Sequence, residues 1–334
     1  MQRGLSPDIE MRRGWPGIRG RGRNVIRSLL ALAAAMSFFP GSFSPPAFAN
    51  LPAEVHSATS DTLQAPLHDE FPPVPELSLP WMDEHHQHIL PPIVMVSVRS
   101  QLRYWTTRGR IELQQRFDRA GPYLPVMKSI FKEEGLPEDL VYLALLESGF
   151  DPAAVSGANA VGPWQFTLPT ARNYGLRTDE WVDERRDPLK STTAAAKYLK
   201  DLHDIFESWP LALASYNTGP TRIRQAMRQS NASDFWHLRT WHQIHQETRN
   251  YVPRFIASVV IAGNREAFGF SRPAVPPIEY DDVLVGRSTN LQLLARYASC
   301  SYEYIKELNP EIRSWATPPD RDDYRLRLPK GARK

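Results

Sequence analysis

Leu136-Pro-Glu-Asp-Leu-Val-Tyr-Leu-Ala-Leu-Leu-Glu-Ser-Gly-Phe150 is the segment whose pattern says most about the architecture of this chain. Pro137 and the two acids after it predict the start of a helix, because proline suits the first turn and acids complement the helix dipole there. Four side chains then follow at helical spacing, namely Leu140, Leu143, Ala144 and Glu147. Leucines on the remaining sides predict that this helix is buried. Glu147 therefore ends an apolar stripe, and burial should raise its pKa.

A carboxylic acid that keeps its proton near neutral pH is what general acid catalysis requires. A buried glutamate that is simply satisfied by an arginine or a backbone amide would leave the same pattern. The stripe alone does not separate these two interpretations.

The surrounding chain is helical in pattern from about Val94 to Phe270, with apolar residues three and four apart and stops such as Gly109 and Gly121-Pro122. No self-similarity at a fixed period indicates a repeat array. We predict a mainly α domain over residues 93–270, built as a bundle of short helices.

The chain changes character after the segment Ser271-Arg-Pro-Ala-Val-Pro-Pro277. Asp282-Val-Leu-Val285 and Tyr324-Arg-Leu-Arg-Leu328 have the pattern of short strands, and two short helices are predicted between them, over 291–297 and 302–308. We predict a linker at 271–279 and a small βααβ module of the α+β class at 280–334.

The charge and the cysteine content of the chain argue against several classes of function. The first 49 residues hold seven of the 40 basic side chains and two of the 37 acidic ones, so the remainder carries 33 basic against 35 acidic groups. No basic stripe is left to neutralise phosphates, which argues against a nucleic-acid partner. Cys300 is the only cysteine, so we expect neither an intrachain disulfide nor a lipid-modified N-terminal cysteine.

The N-terminal segment 1–49 is typical of a secretory signal peptide: arginines precede an apolar run, and Ala47-Phe-Ala49 resembles a cleavage site. We expect an exported protein, periplasmic or associated with the cell envelope, and no membrane span in the mature chain. Residues 50–92 are rich in proline and predict a linker. Its cluster Asp83-Glu-His-His-Gln-His88 lacks the fixed geometry of a metal site, and no metal is expected.

Four short motifs follow one another along the chain: Glu147-Ser148, Gly162-Pro-Trp-Gln165, Tyr216-Asn217 and Glu247-Thr-Arg-Asn-Tyr-Val252. With the polar loop that begins at Ser156, they resemble the lytic transglycosylases of the soluble-lytic-transglycosylase superfamily, most closely the membrane-bound lytic murein transglycosylase D group. The resemblance covers about Leu90 to Phe270.

The resemblance implies a lysozyme-like helical catalytic domain that acts on the glycan strands of peptidoglycan. It implies cleavage between N-acetylmuramic acid and N-acetylglucosamine with a 1,6-anhydromuramic product and no cofactor. Glu147 would be the single catalytic acid/base. The substrate-binding residues carried over from the motifs are Ser148, Ser156, Gln165, Tyr216, Asn217 and Tyr251.

The C-terminal module resembles a divergent LysM domain, a class that binds glycans containing N-acetylglucosamine. Gly286-Arg-Ser-Thr289 stands where Gly-Asp-Thr is usual, so a packing module that has lost sugar binding is an alternative. Within the loop, Asn159 stands where relatives commonly have glycine, and asparagine tolerates the left-handed conformation that the turn needs.

Two other functions are compatible with the same sequence. A hydrolase of the lysozyme type would need a second carboxylate, for which Asp151 and Asp187 are the nearby residues. A non-catalytic wall-binding protein would need only the fold and the terminal module. The retention of Glu147 together with the Ser, Gln and Tyr motifs argues against the latter.

Overall fold

The structure is a computed structural model that describes Leu79, residues 92–273 and residues 275–332. The predicted signal peptide at 1–49 lies outside the described residues. So does almost all of the predicted linker at 50–92, including its histidine cluster.

The described chain is helical up to residue 263 and then adds two strands and two short helices. Its elements are α1 (Pro92–Thr106), α2 (Arg110–Ala120), α3 (Leu124–Glu133), a 3-10 helix (Glu138–Tyr142), α4 (Leu143–Glu147), α5 (Leu168–Asn173), a second 3-10 helix (Glu184–Arg186), α6 (Pro188–Phe206), α7 (Trp209–Thr218), α8 (Pro220–Ser230), α9 (Phe235–Thr240), α10 (Gln246–Gly263), β1 (Tyr280–Val285), α11 (Leu291–Tyr297), α12 (Tyr302–Leu308) and β2 (Tyr324–Pro329).

Helix α10 is central to the helical part, because it packs against α1, α7 and α4. Its residues from Tyr251 to Ala262 are buried apart from Arg254. A helix that is apolar on nearly every side belongs in the interior of a domain. The elements that carry the predicted site motifs therefore meet around this helix.

The segment 136–150 differs from the prediction in two respects. Pro137 is the N-cap and not a residue of the first turn, and Glu138–Tyr142 form a 3-10 helix, so that only Leu143–Glu147 form an α-helix. Because the apolar residues face the core on all sides, burial is satisfied by either winding, and the sequence pattern does not distinguish the two.

The C-terminal module has the predicted βααβ order. Strands β1 and β2 pair antiparallel, in a register that runs from Tyr280 opposite Pro329 to Val285 opposite Tyr324. Asn290 and Ser301 cap the two helices by accepting from backbone amides of their first turns. The predicted helices at 291–297 and 302–308 are confirmed. The fold class, mainly α with a small α+β module, is confirmed as well.

The segment between the two parts runs along the helical part. The Ser271 amide donates to Gln114 Oε1 at 3.0 Å, and the Ile278 amide donates to the Pro122 carbonyl at 3.0 Å. Within the described ranges, no helix combines the length and the apolar character needed to cross a bilayer.

Candidate active site

Glu147 is the last residue of α4 and lies at the edge of the core. Leu143 to Leu146 before it are buried, whereas the glutamate itself is partly exposed. The Tyr251 hydroxyl, from α10, donates a hydrogen bond to Glu147 Oε1. No lysine, arginine or histidine forms an ion pair with this carboxyl among the described residues. The glutamate thus faces a phenol and not a cation.

Burial raises the pKa of Glu147 to about 7. The hydrogen bond from Tyr251 lowers this pKa, because it favours the charged form, and the nearby carboxylate of Glu247 raises it. Burial also raises the pKa of Glu247 itself. A carboxyl group with a pKa of about 7 can both donate and accept a proton near neutral pH.

The raised pKa makes Glu147 costly to the folded state at high pH. The folded protein holds the proton up to a pKa of about 7, whereas the unfolded chain releases it at the ordinary value of 4.5. The stability contributed by protonated Glu147 is therefore lost as pH rises through that window. Glu147→Gln should show little change in the free energy of unfolding at about pH 4 and a gain of about 2 kcal/mol at about pH 8, with partial exposure reducing the full value.

Urea denaturation of both proteins at the two pH values measures this difference. Glu138→Gln is the matched control for the change in net charge, since Glu138 is exposed on the same segment. A difference that does not depend on pH would contradict the raised pKa.

Two arginines of α2 fix the backbone on both sides of Glu147. Arg116 Nη1 donates to the Leu145 carbonyl at 2.8 Å, and Arg119 Nε donates to the Gly149 carbonyl at 2.9 Å. Both contacts hold the backbone that carries Glu147. Neither contact is predictable from the sequence, because two arginines three apart on a helix give no signal of contacts with residues 29 and 30 positions later.

Ser148 joins the Glu147 segment to the polar loop. Its Oγ donates to the Pro163 carbonyl at 2.9 Å and accepts from the Asp151 amide at 3.0 Å. Its only hydroxyl proton is therefore used within the protein. This geometry gives Ser148 a positioning role beside Glu147.

The loop 156–166 is closed by its own hydrogen bonds. Ser156 Oγ accepts from the Ala160 amide at 3.0 Å, and Gln165 Nε2 donates to the Gly162 carbonyl at 3.0 Å. Asn159 has the predicted left-handed conformation, with φ of 58°, and Gln165 shares it, with φ of 48°. Ser156 is the first residue of the loop. Gln165 lies near its end and follows Trp164, whose carbonyl accepts from Tyr216.

Tyr216 and Trp164 connect the loop to α7 and to the core. The Tyr216 hydroxyl donates to the Trp164 carbonyl at 2.8 Å. Trp164 is fully buried, stacks on Phe131 and donates through Nε1 to Thr192 Oγ1 at 2.9 Å. Trp164 is thus a core residue, and Tyr216 holds the loop through the Trp164 carbonyl. Burial raises the pKa of Tyr216, and the charge of Glu147 raises it further.

Asn217 follows Tyr216 and is oriented by α10. Thr248 Oγ1 donates to Asn217 Oδ1 at 2.9 Å, which leaves the amide protons of Asn217 to face other groups. Helix α10 contains Pro253, which lacks the amide that would bond the Arg249 carbonyl one turn earlier. Arg239 Nε donates to that carbonyl at 2.8 Å instead, so the helix that carries Tyr251 stays intact.

The structure brings most of the predicted site residues together. Hydrogen bonds link Glu147 to Tyr251, Ser148 to the loop, Tyr216 to the loop and Asn217 to α10. Asp187 is not part of this group: it is fully buried, it caps α6 and it pairs with Arg327. Among the described residues, no group of three His, Cys, Asp or Glu side chains could hold a metal ion.

Two family models match the chain. Residues 126–239 match the "Transglycosylase SLT domain", and residues 279–334 match the "Lytic transglycosylase MltD, LysM-like domain". Both resemblances predicted from the motifs are thereby confirmed for these segments.

Individual relatives also have the names of transglycosylases. A 160-residue stretch is 40% identical to membrane-bound lytic murein transglycosylase D of Escherichia coli (strain K12), covering 46% of this chain and 34% of the relative. A 145-residue stretch is 35% identical to the peptidoglycan transglycosylase gp16 of Escherichia phage T7, covering 42% of this chain and 10% of the relative. The chain thus spans about a third or less of these proteins.

Among solved structures, the 70 kDa soluble lytic transglycosylase Slt70 of Escherichia coli is 22% identical, with a TM-score of 0.40. The alignment covers 54% of this chain and 30% of that chain.

Proposed function

We propose that this chain, which carries a transglycosylase SLT domain and an MltD-type LysM-like domain, is a lytic transglycosylase that cuts the glycan strands of peptidoglycan. One observation carries the proposal: the Glu147 carboxyl, with a pKa raised to about 7, accepts a hydrogen bond from Tyr251, and no cation of the described residues pairs with it. Such a group can give a proton to a glycosidic oxygen and later take one back.

The proposed reaction needs one carboxyl group. Glu147 protonates the oxygen that leaves C1 of N-acetylmuramic acid, and the bond between that oxygen and C1 breaks. The acetamido oxygen of the same sugar stabilises the positive C1. Glu147, now a carboxylate, takes the proton of the 6-hydroxyl while the oxygen of that hydroxyl bonds to C1. The products are a free 4-hydroxyl and a 1,6-anhydro ring, with no water consumed.

Ser148, Ser156, Gln165, Tyr216, Asn217 and Tyr251 remain our proposed substrate-side residues. The geometry supports different contributions from them. Tyr251 orients the carboxyl, and Ser148 and Tyr216 hold the loop 156–166. Asn217 uses its Oδ1 to accept from Thr248, so its amide protons can donate to a sugar oxygen. Gln165 and Ser156 lie partly exposed along the loop.

A hydrolase of the lysozyme type is the competing function, and it needs a second ionised carboxylate. The burial of Asp187 and its pairing with Arg327 argue against a role for it at the sugar. Asp151 Oδ1 accepts from the Ala153 amide at 2.8 Å, as in a local turn. Glu247, whose charge raises the pKa of Glu147, is a further carboxylate to be tested for that role.

Digestion of purified sacculi in water enriched in oxygen-18 separates the two reactions. A lytic transglycosylase yields muropeptides that are lighter by one water and carry no heavy oxygen at C1. A lysozyme-type hydrolase, run in parallel as a control, incorporates the label. Labelled reducing ends from this protein would refute the proposal.

The hydrogen bond from Tyr251 should be visible in the pH profile. Catalysis needs protonated Glu147, so the rate falls as pH rises through the pKa of that group. Tyr251→Phe removes a bond that lowers this pKa, so the midpoint of the fall should move to higher pH. We also expect kcat to decrease by about tenfold to a hundredfold, because the carboxyl loses its orientation.

Tyr216→Phe is the matched control for Tyr251→Phe. The Tyr216 hydroxyl donates to the Trp164 carbonyl and not to Glu147. The pH midpoint of the Tyr216→Phe variant should therefore equal that of the unchanged protein. A shift of equal size in both variants, or a shift to lower pH in Tyr251→Phe, would contradict the assigned contact.

We further propose export to the cell envelope, where peptidoglycan lies. The support is the pattern of the N-terminal 49 residues, arginines followed by an apolar run and a small-residue cleavage site.

A further inference from the structure

The C-terminal module does not merely follow the helical part in sequence. The segment 179–187 of the helical part enters its structure. Val182 is fully buried in the core of the module, beside Leu291, Ile305 and Leu326. The Asp183 amide donates to the Glu311 carbonyl at 2.8 Å, and the Arg313 amide donates to the Trp181 carbonyl at 2.8 Å. A bridge between Val182 and Ile312 completes this pairing.

A buried ion pair closes the same interface. Arg327 Nη2, from β2, lies 2.6 Å from Asp187 Oδ2, with the aspartate fully buried and the arginine side chain 11% exposed. The other Asp187 oxygen caps α6 by accepting from the Leu189 and Lys190 amides. Arg327 also donates to the Leu308 carbonyl and lies 3.9 Å from Glu311 Oε2. Removal of the cation would leave Asp187 buried and unpaired, which is strongly unfavourable.

The segment held in this way is the support of the active-site loop. Arg185 is buried, pairs with Asp183 and donates through Nη1 to the Asn159 and Phe166 carbonyls, both at 3.1 Å. The backbone carbonyl of Arg185 lies so close to Gly162 that no Cβ fits there. The loop 156–166 therefore rests on residues 183–187, whose other side is bound by the module.

The loop in turn reaches the proposed acid. The Pro163 carbonyl accepts from Ser148, the neighbour of Glu147, and the Trp164 carbonyl accepts from Tyr216. A continuous set of contacts thus runs from Arg327 through Asp187, the 183–187 segment and the loop to the Glu147 segment.

We propose that the C-terminal module is a positioning part of the active site, with Arg327 as the positioning residue that holds the loop 156–166 through Asp187. The proposal rests on the proposed function for its catalytic consequence only. It gives the module a role in the chemical step that does not depend on glycan binding by the module. Loss of the pair should loosen the loop while the helical core stays folded.

Arg327→Gln in the full chain tests this, with Arg325→Gln as the matched control. Arg325 lies two residues earlier on the same strand and is exposed, and its ionic neighbour in the described part of the chain is Asp282, at 3.8 Å. The first readout is hydrogen exchange at the Val161, Gly162 and Phe166 amides, which are all bonded within the loop region. We expect about tenfold faster exchange there in Arg327→Gln, unchanged exchange in α10, and no effect of Arg325→Gln.

The second readout is the release of anhydromuropeptides from sacculi. We expect Arg327→Gln to lower kcat by about tenfold to a hundredfold with a smaller change in KM, and Arg327→Lys to restore part of it. If Arg327→Gln does not fold, the same two readouts are measured on Arg327→Lys. Lysine keeps a cation opposite Asp187 but lacks the planar, forked guanidinium group of arginine.

The outcomes separate this inference from the proposed function. Unchanged exchange in the loop, with faster exchange confined to residues 280–329, would overturn the positioning role whatever the activity. If Glu147→Gln still released product, the proposed function would fail, yet loop exchange in Arg327→Gln would still decide whether the module positions the loop.

Discussion

Replacing Glu147 by Gln should reduce the release of anhydromuropeptides from purified sacculi by about 10²- to 10⁴-fold, the usual contribution of a general acid. Glutamine keeps the size of the side chain and can still meet the Tyr251 hydroxyl, but it has no proton to give to a glycosidic oxygen. Binding of the variant to sacculi should be unchanged, because the loop and the tyrosines stay in place. Sedimentation with sacculi and chromatography of the released muropeptides measure the two effects separately.

Two matched variants sharpen this result. Glu138→Gln removes an exposed carboxylate from the same segment and should leave the rate unchanged. Glu247→Gln removes the carboxylate that helps raise the pKa of Glu147, so its pH midpoint should move to lower pH while the product keeps its anhydro ring. A loss of activity in Glu247→Gln as large as in Glu147→Gln would favour a mechanism with two carboxylates.

Gly162→Ala should be among the most destabilising single changes in the described part of the chain, at about 3 kcal/mol or more. Gly162 has φ of +83°, and an added Cβ would collide with the backbone carbonyl of Arg185. That atom belongs to backbone that is tied into a buried network, so it cannot move aside as a side chain would. The loop would have to lift away from the 183–187 segment, and activity should fall with stability.

Gly175→Ala separates the collision from the backbone strain. Gly175 has φ of +81°, nearly the same conformation, but nothing lies within 4 Å of the added Cβ. We expect a loss of about 1 kcal/mol from the positive φ alone. Urea denaturation of both variants gives the comparison, and equal losses would show that the loop does not rest on Arg185.

Local features of this fold follow closely from the sequence. The two helices of the module begin and end where the pattern predicts, because Asn290 and Ser301 are strong N-caps and Tyr297 and Leu308 end short apolar repeats. The burial of Leu143 to Leu146 before Glu147 also follows from the apolar stripe. These features depend on residues within one or two turns of each other.

The features that the sequence analysis missed depend on contacts between distant positions. Asp187 was considered as a second carboxylate, but it pairs with Arg327, 140 residues later. The contacts of Arg116 and Arg119 with the carbonyls around Glu147 likewise join separate helices. No periodicity or spacing in a single sequence records such pairs, since either residue alone reads as an ordinary surface charge.

The ionisation of Glu147 can be measured directly. Carbon-13 NMR of the full chain labelled at glutamate carboxyl carbons follows this group through a pH titration, and the Glu147→Gln spectrum assigns its signal. We predict a midpoint of about 7. A midpoint near the ordinary value of 4.5 would mean that the group is a carboxylate at neutral pH, with no proton to donate to a sugar oxygen.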